Sequence, residues 1–113
     1  MAEKPSGKQD HYAADERRWR DVGAGLSVLD LHQEGGRRFQ IVRLSPGGRI
    51  LAHRHVGTEV LYVVRGSLVV DGERLHAGDV LQSDPDTVHR ETYSNEGCEL
   101  MVECSPDDEL LRS

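Results

Sequence analysis

From Leu26 onward the chain is a series of short apolar runs, each closed by Gly, Pro, Asp or Ser at spacings of roughly eight to twelve residues. This rhythm constrains the fold more than any other feature. The runs are too short for ordinary helices, and no helical periodicity runs through them. Candidate strands are Leu26 to His32, Arg38 to Leu44, Ile50 to His55, Glu59 to Val64, Ser67 to Val70, Glu73 to His76, Asp79 to Gln82, Val88 to Tyr93 and Glu99 to Cys104. Asp71-Gly72, set between Leu68-Val69-Val70 and Glu73-Arg74-Leu75, predicts a two-residue type I′ hairpin, because that turn needs positive φ at both central positions. No internal repeat is present. The expected architecture is all-β, a sandwich or barrel.

The length of 113 residues allows one domain with a single core. Trp19 is the only tryptophan and Phe39 the only phenylalanine, so that core must be built mainly from Val and Leu, which suit strands. Fourteen basic against twenty acidic residues give a net charge of −6, which argues against binding nucleic acid or an anionic membrane surface. A small molecule is the expected partner. No stretch approaches the ~20 apolar residues of a membrane span, and Met1 to Gly7 lacks the apolar segment of a secretion signal. The cytoplasm is therefore the expected compartment. Cys98 and Cys104 fall in one predicted strand, which disfavours a disulfide between them and predicts reduced, core-packed thiols. Residues 1–20 read as a polar arm and 21–113 as the barrel. Tyr12 to Arg20 fits either a short helical turn or an extended segment lying on a neighbouring subunit. Sheet edges in so small a barrel need cover, so a homodimer is expected.

The stretch Ala52-His53-Arg54-His55-Val56-Gly57-Thr58-Glu59 concentrates the chemistry. Alternate strand residues share a face, so His53 and His55 can direct two imidazoles at one ion. Glu59, across a short turn, can add a carboxylate oxygen. His89, which follows the Asp84-Pro85-Asp86 turn and opens a returning strand, is the best candidate for a fourth ligand. His11, His32 and His76 read as surface or turn histidines. Imidazole with carboxylate at such spacing suits a divalent ion such as zinc, iron, nickel or manganese.

These residues resemble the cupin superfamily. Gly47, His53, His55, Glu59 and Gly66 match the first cupin motif, G-x5-H-x-H-x3or4-E-x6-G, at every position. Gly78 and His89 keep the mutual spacing of the second motif, G-x5-P-x-G-x2-H-x3-N. Within that motif Pro85 sits one place late, Asp86 stands where the motif has glycine, and Tyr93 replaces the terminal asparagine. The resemblance spans Leu26 to about Cys104. It implies a single jelly-roll β-barrel in which His53, His55, Glu59 and His89 hold one divalent metal ion, zinc or iron foremost. The carboxy-terminal run from His89 to Cys104 and the segment from Phe39 to Ile50 resemble the subgroup of ChrR-type anti-sigma factors and acetylacetone dioxygenases. The anti-sigma factors carry a separate amino-terminal sigma-binding domain, for which the residues before Leu26 are too few. A stand-alone sigma inhibitor is accordingly not expected.

The resemblance implies two kinds of function. One is a metal-dependent enzyme acting on a small oxygenated metabolite, either by dioxygenase-like C–C cleavage or by Lewis-acid isomerisation, cyclisation or bond formation. The other is a non-catalytic zinc-binding sensor, or a cupin component of a multi-protein synthetase. Strand parity with His89 nominates Glu91 as a base and Tyr93 as a hydrogen-bond or proton donor. Parity with Glu59 nominates Leu61 and Val63 as the apolar wall. Arg43 is read first as a rim residue and second as a clamp for an anionic substrate.

Overall fold

A computed structural model describes residues 7–110. Twelve strands follow in order: β1 (Arg20–Asp21), β2 (Leu26–Glu34), β3 (Arg37–Leu44), β4 (Arg49–Ile50), β5 (His53–Arg54), β6 (Glu59–Val70), β7 (Glu73–His76), β8 (Val80–Ser83), β9 (Val88–His89), β10 (Thr92–Tyr93), β11 (Cys98–Cys104) and β12 (Glu109–Leu110). The fold is all-β. Among the described residues the one helical element is a 3-10 turn at Ala14–Glu16, with extended backbone on both sides. Tyr12 donates its hydroxyl hydrogen to the Leu31 carbonyl, and the Arg43 guanidinium lies 4.1 Å over the Trp19 ring. The amino-terminal segment thus rests on β2 and β3 of its own chain.

Nine strands form one curled antiparallel sheet, in which β1, β2, β3, β11, β6, β10 and β4 are successive neighbours and β7 and β8 also pair with β6. A second sheet runs β12, β5, β9. The predicted hairpin is present. Asp71 and Gly72 have φ of 45° and 85°, and Val70 stands opposite Glu73.

Strand β6 runs through Gly66, where the sequence predicts a break between two strands. Its register with β11 pairs Val63 with Leu100 and Arg65 with Glu99, leaving Val64 as a bulged extra residue. The bulge re-aims the strand, so its first half pairs with β8 and β11 and its second half with β7 and β10. Gly66 has φ +77°, and a Cβ there would meet the Gly97 carbonyl oxygen at 2.0 Å. Only glycine permits that crossing.

The inner face of the curl is packed by Val28, Val42, Leu61, Val63, Leu68 and Leu100, together with Cys98 and Cys104. Both cysteines are free and buried. Burial raises both thiol pKa values, so neither is an activated thiolate. At ~1.5–3 kcal/mol per buried Leu or Val side chain, this aliphatic core accounts for the main stabilising force in a chain with so few aromatic residues.

Candidate metal centre

The second sheet brings the histidines together. β5 pairs with β9 so that His53 stands directly opposite His89. His55 leaves β5 but stays in register, donating its backbone N–H to the Thr87 carbonyl and accepting at its own carbonyl from Asp86 N–H. Asp86 has φ +71°, the left-handed conformation that the second motif assigns to glycine and that Asp tolerates better than most residues. Arg54 Nη1 holds the Asp86 carboxylate at 2.6 Å. The substitution therefore keeps the turn and adds an ion pair.

The ring centroids of His53, His55 and His89 lie 4.6 to 5.3 Å apart, every pair edge to face. One nitrogen from each ring falls within 4.8 Å of the other two. His55 Nε2 and His89 Nδ1 are 3.2 Å apart. Two nitrogens bound at about 2.1 Å to one tetrahedral or octahedral ion lie roughly 3.0–3.4 Å apart, so this spacing fits a shared ion. Glu59 Oε1 is 3.6 Å from His55 Nε2. The structure places Glu59 in a second, overlapping cluster with His55 and Asp108.

The remaining ring nitrogens are fixed from behind. His53 Nδ1–H donates to the Leu51 carbonyl at 2.7 Å, and His55 Nδ1–H donates to Asp108 Oδ2 at 3.1 Å. Both bonds leave Nε2 bare. His89 Nε2 lies 3.3 Å from the Ser83 hydroxyl, which leaves Nδ1 to face the other rings. Carboxylate and carbonyl partners of this kind set the tautomer and orientation of metal-ligating histidines.

The electrostatics of the cluster keep imidazole nitrogens neutral and disfavour a lone carboxylate charge. Burial, with the neighbouring His55 and His53, pushes His89 down to about 4, and burial also lowers His55. Burial first, then the nearby Asp108, pushes Glu59 up to about 7 against the opposing pull of Arg37. Neutral imidazoles offer lone pairs at neutral pH, and a divalent ion would reverse the penalty on Glu59. The donor set fits a divalent metal.

A cavity of about 580 Å³ opens over this cluster. His53, Glu59 and His89 form its floor, with Leu61 and Thr92 in its wall. Thr92 corrects the parity expected from the sequence. The predicted strand from Val88 to Tyr93 is broken at Arg90 and Glu91, whose backbone N–H groups both donate to the Asp71 carboxylate, at 3.1 and 2.8 Å. Beyond the break Thr92 faces the cavity. Glu91 is exposed and Tyr93 lies outside the cavity lining. Val63 is fully buried in the core and does not line the cavity. Arg43 pairs with Glu99 at 3.3 Å and also lies away from the metal cluster. His11, His32 and His76 are exposed. Asp108 carried no readable signal, because it reaches His55 from 53 residues away in sequence.

Solved structures share this fold. An acetylacetone dioxygenase from Acinetobacter johnsonii superposes with a TM-score of 0.84 at 11% identity, over 100% of this chain and 83% of the other. The polyketide cyclase RemF from Streptomyces resistomycificus gives 0.73 at 16%, over 94% and 87%. The complex of Rhodobacter sphaeroides SigE with the anti-sigma ChrR gives 0.73 at 22%, over 82% of this chain and 51% of the matched one. This chain thus spans about half the length of that relative. No curated protein sequence matches it significantly. Residues 8–106 match the family described as the ChrR cupin-like domain, and the chain therefore belongs to this family of the cupin superfamily.

Proposed function

We propose that this protein is a metal-dependent enzyme that acts on a small oxygenated metabolite, with the ion held by His53, His55 and His89 and joined by Glu59. The observation that carries this reading is the cavity of about 580 Å³ lined by His53, His89 and Glu59. A closed structural or sensory zinc site needs no such volume beside it. The structural likeness to a dioxygenase and to a cyclase supports the same reading at the level of fold.

The chain's own groups divide the work. His53 and His55, locked by Leu51 and Asp108, present bare nitrogens. Glu59, whose Oε1 lies 3.6 Å from His55 Nε2, adds a charged oxygen donor to the imidazoles. Leu61 and its apolar neighbours exclude water, and Thr92 offers a hydroxyl to a bound oxygen. The ion when bound supplies Lewis acidity, and iron would add chemistry with O2.

Elemental analysis of the native protein beside His53→Ala, followed by turnover of a β-diketone in air and under anaerobic conditions, tests this. The expected result is about one divalent ion per chain in the native protein and little in the variant. Full metal content in His53→Ala would sink the site assignment. Equal turnover without O2 would select the Lewis-acid branch. A metal-loaded protein that binds no small molecule would leave the sensor reading in its place.

A further inference from the structure

The cavity wall carries hydrogen-bonding capacity that the metal cluster does not use. Arg20, Arg38 and Arg49 all line it. Arg20 is matched by Asp30, 2.9 Å away. Arg38 differs. It stands on β3 opposite Cys104 of β11, its Nη2 reaches only the cysteine sulfur at 3.8 Å, and its Nε is buried without a partner. Among the described residues no carboxylate lies within ion-pair distance of Arg38, whereas Arg37, Arg43, Arg54 and Arg65 each have one. A sulfur is a weak acceptor, so the guanidinium keeps donors available beside the cavity while its charge acts on Asp30 from beyond ion-pair distance.

Thr92 gives a second, independent sign. It is 5% exposed, and its hydroxyl oxygen is buried with no partner. Native interiors rarely leave buried polar groups unmatched, and two such groups in the wall of one cavity mark places where a ligand completes the bonding. The wall also carries an aliphatic stretch that includes Val28, Val42, Leu61 and Val70.

Resting on the enzyme reading above, we infer that the substrate carries a carboxylate, which Arg38 binds, while its chelating oxygens face the imidazole cluster and Thr92 meets one substrate oxygen. A planar guanidinium matches a carboxylate through paired N–H donors. The aliphatic wall then receives the carbon chain between the two polar ends.

The test uses zinc-loaded full-length protein and two probes, 4,6-dioxoheptanoate and its methyl ester. They share a β-diketone head and differ in the charge of the tail. Calorimetric titration should show the acid binding about tenfold or more tighter than the ester. Arg38→Met should erase that preference while leaving ester affinity and zinc content unchanged, and Arg38→Lys should keep part of it. Equal affinity of wild-type protein for acid and ester overturns the carboxylate assignment, and this comparison needs no variant to fold. A preference that survives Arg38→Met overturns the role of Arg38. A protein that binds no zinc overturns the metal reading and this inference with it, whereas zinc-loaded protein that fails to discriminate overturns the inference alone.

Discussion

Glu59 sits where its negative charge is disfavoured until a cation arrives. Its pKa in the folded, metal-free protein is about 7 against an ordinary 4.5, so between these values the folded state binds more protons than the unfolded one. The contribution of this residue to metal-free stability is therefore greatest at low pH and is lost as pH rises from about 4.5 through about 7. His89 works in the opposite sense. Its lowered pKa destabilises the fold as pH falls from 6.5 to about 4. Comparing Glu59→Gln with the native protein isolates the first effect. In the absence of metal the variant should be the more stable at pH 8, by on the order of 3 kcal/mol, and should show little gain at pH 4. Chemical denaturation at the two pH values reads this directly. An equal difference at both would show that Glu59 carries no such penalty. With metal present the order should reverse, because the variant loses a charged ligand. The sequence made His53, His55, Glu59 and His89 legible through spacing, but the 2.7 Å bond from His53 to the Leu51 carbonyl has no spacing signature.

At the scale of elements, β6 governs the architecture because it pairs with four strands, β7, β8, β10 and β11. Its crossing beneath the Gly97–Cys98 backbone depends on Gly66. Gly66→Ala puts a methyl group at 2.0 Å from a backbone oxygen in a left-handed conformation, and neither backbone can give way cheaply. A loss of at least ~3 kcal/mol in unfolding free energy is expected, measured by urea denaturation. A loss below ~1 kcal/mol would show that the bulge can relax. The sequence shows a glycine ending an apolar run, and a strand end is the natural reading. What cannot be read locally is that β11 pairs on both sides of the bulge, from Val60 to Gly66, with Val64 left as the extra residue of β6. The same limit explains Glu91 and Tyr93. Alternation extends only as far as a strand does, and the Asp71 side chain, distant in sequence, ends this one at Arg90.

At the scale of the whole molecule, the segment around Asp108 returns to the imidazole cluster. Asp108 accepts from His55 Nδ1–H at 3.1 Å and from Val56 N–H at 3.0 Å, and β12 pairs with β5 just beyond it. The centre thus depends on closure of the second sheet. Asp108→Asn keeps the size of the side chain and removes its charge, and should weaken metal affinity about 10- to 100-fold with the three imidazoles still present. Competition with a chelator of known affinity measures this, and an unchanged affinity would show that Asp108 only holds the loop. By itself the sequence determined the all-β class and the type I′ hairpin and nominated His53, His55 and Glu59 as a cluster, because turn chemistry and strand parity act over a few neighbouring positions. Only the tertiary structure decided that Asp108 backs His55, that Thr92 rather than Tyr93 lines the cavity, and that no carboxylate among the described residues pairs with Arg38. Those outcomes depend on which distant strands the curled sheet brings side by side.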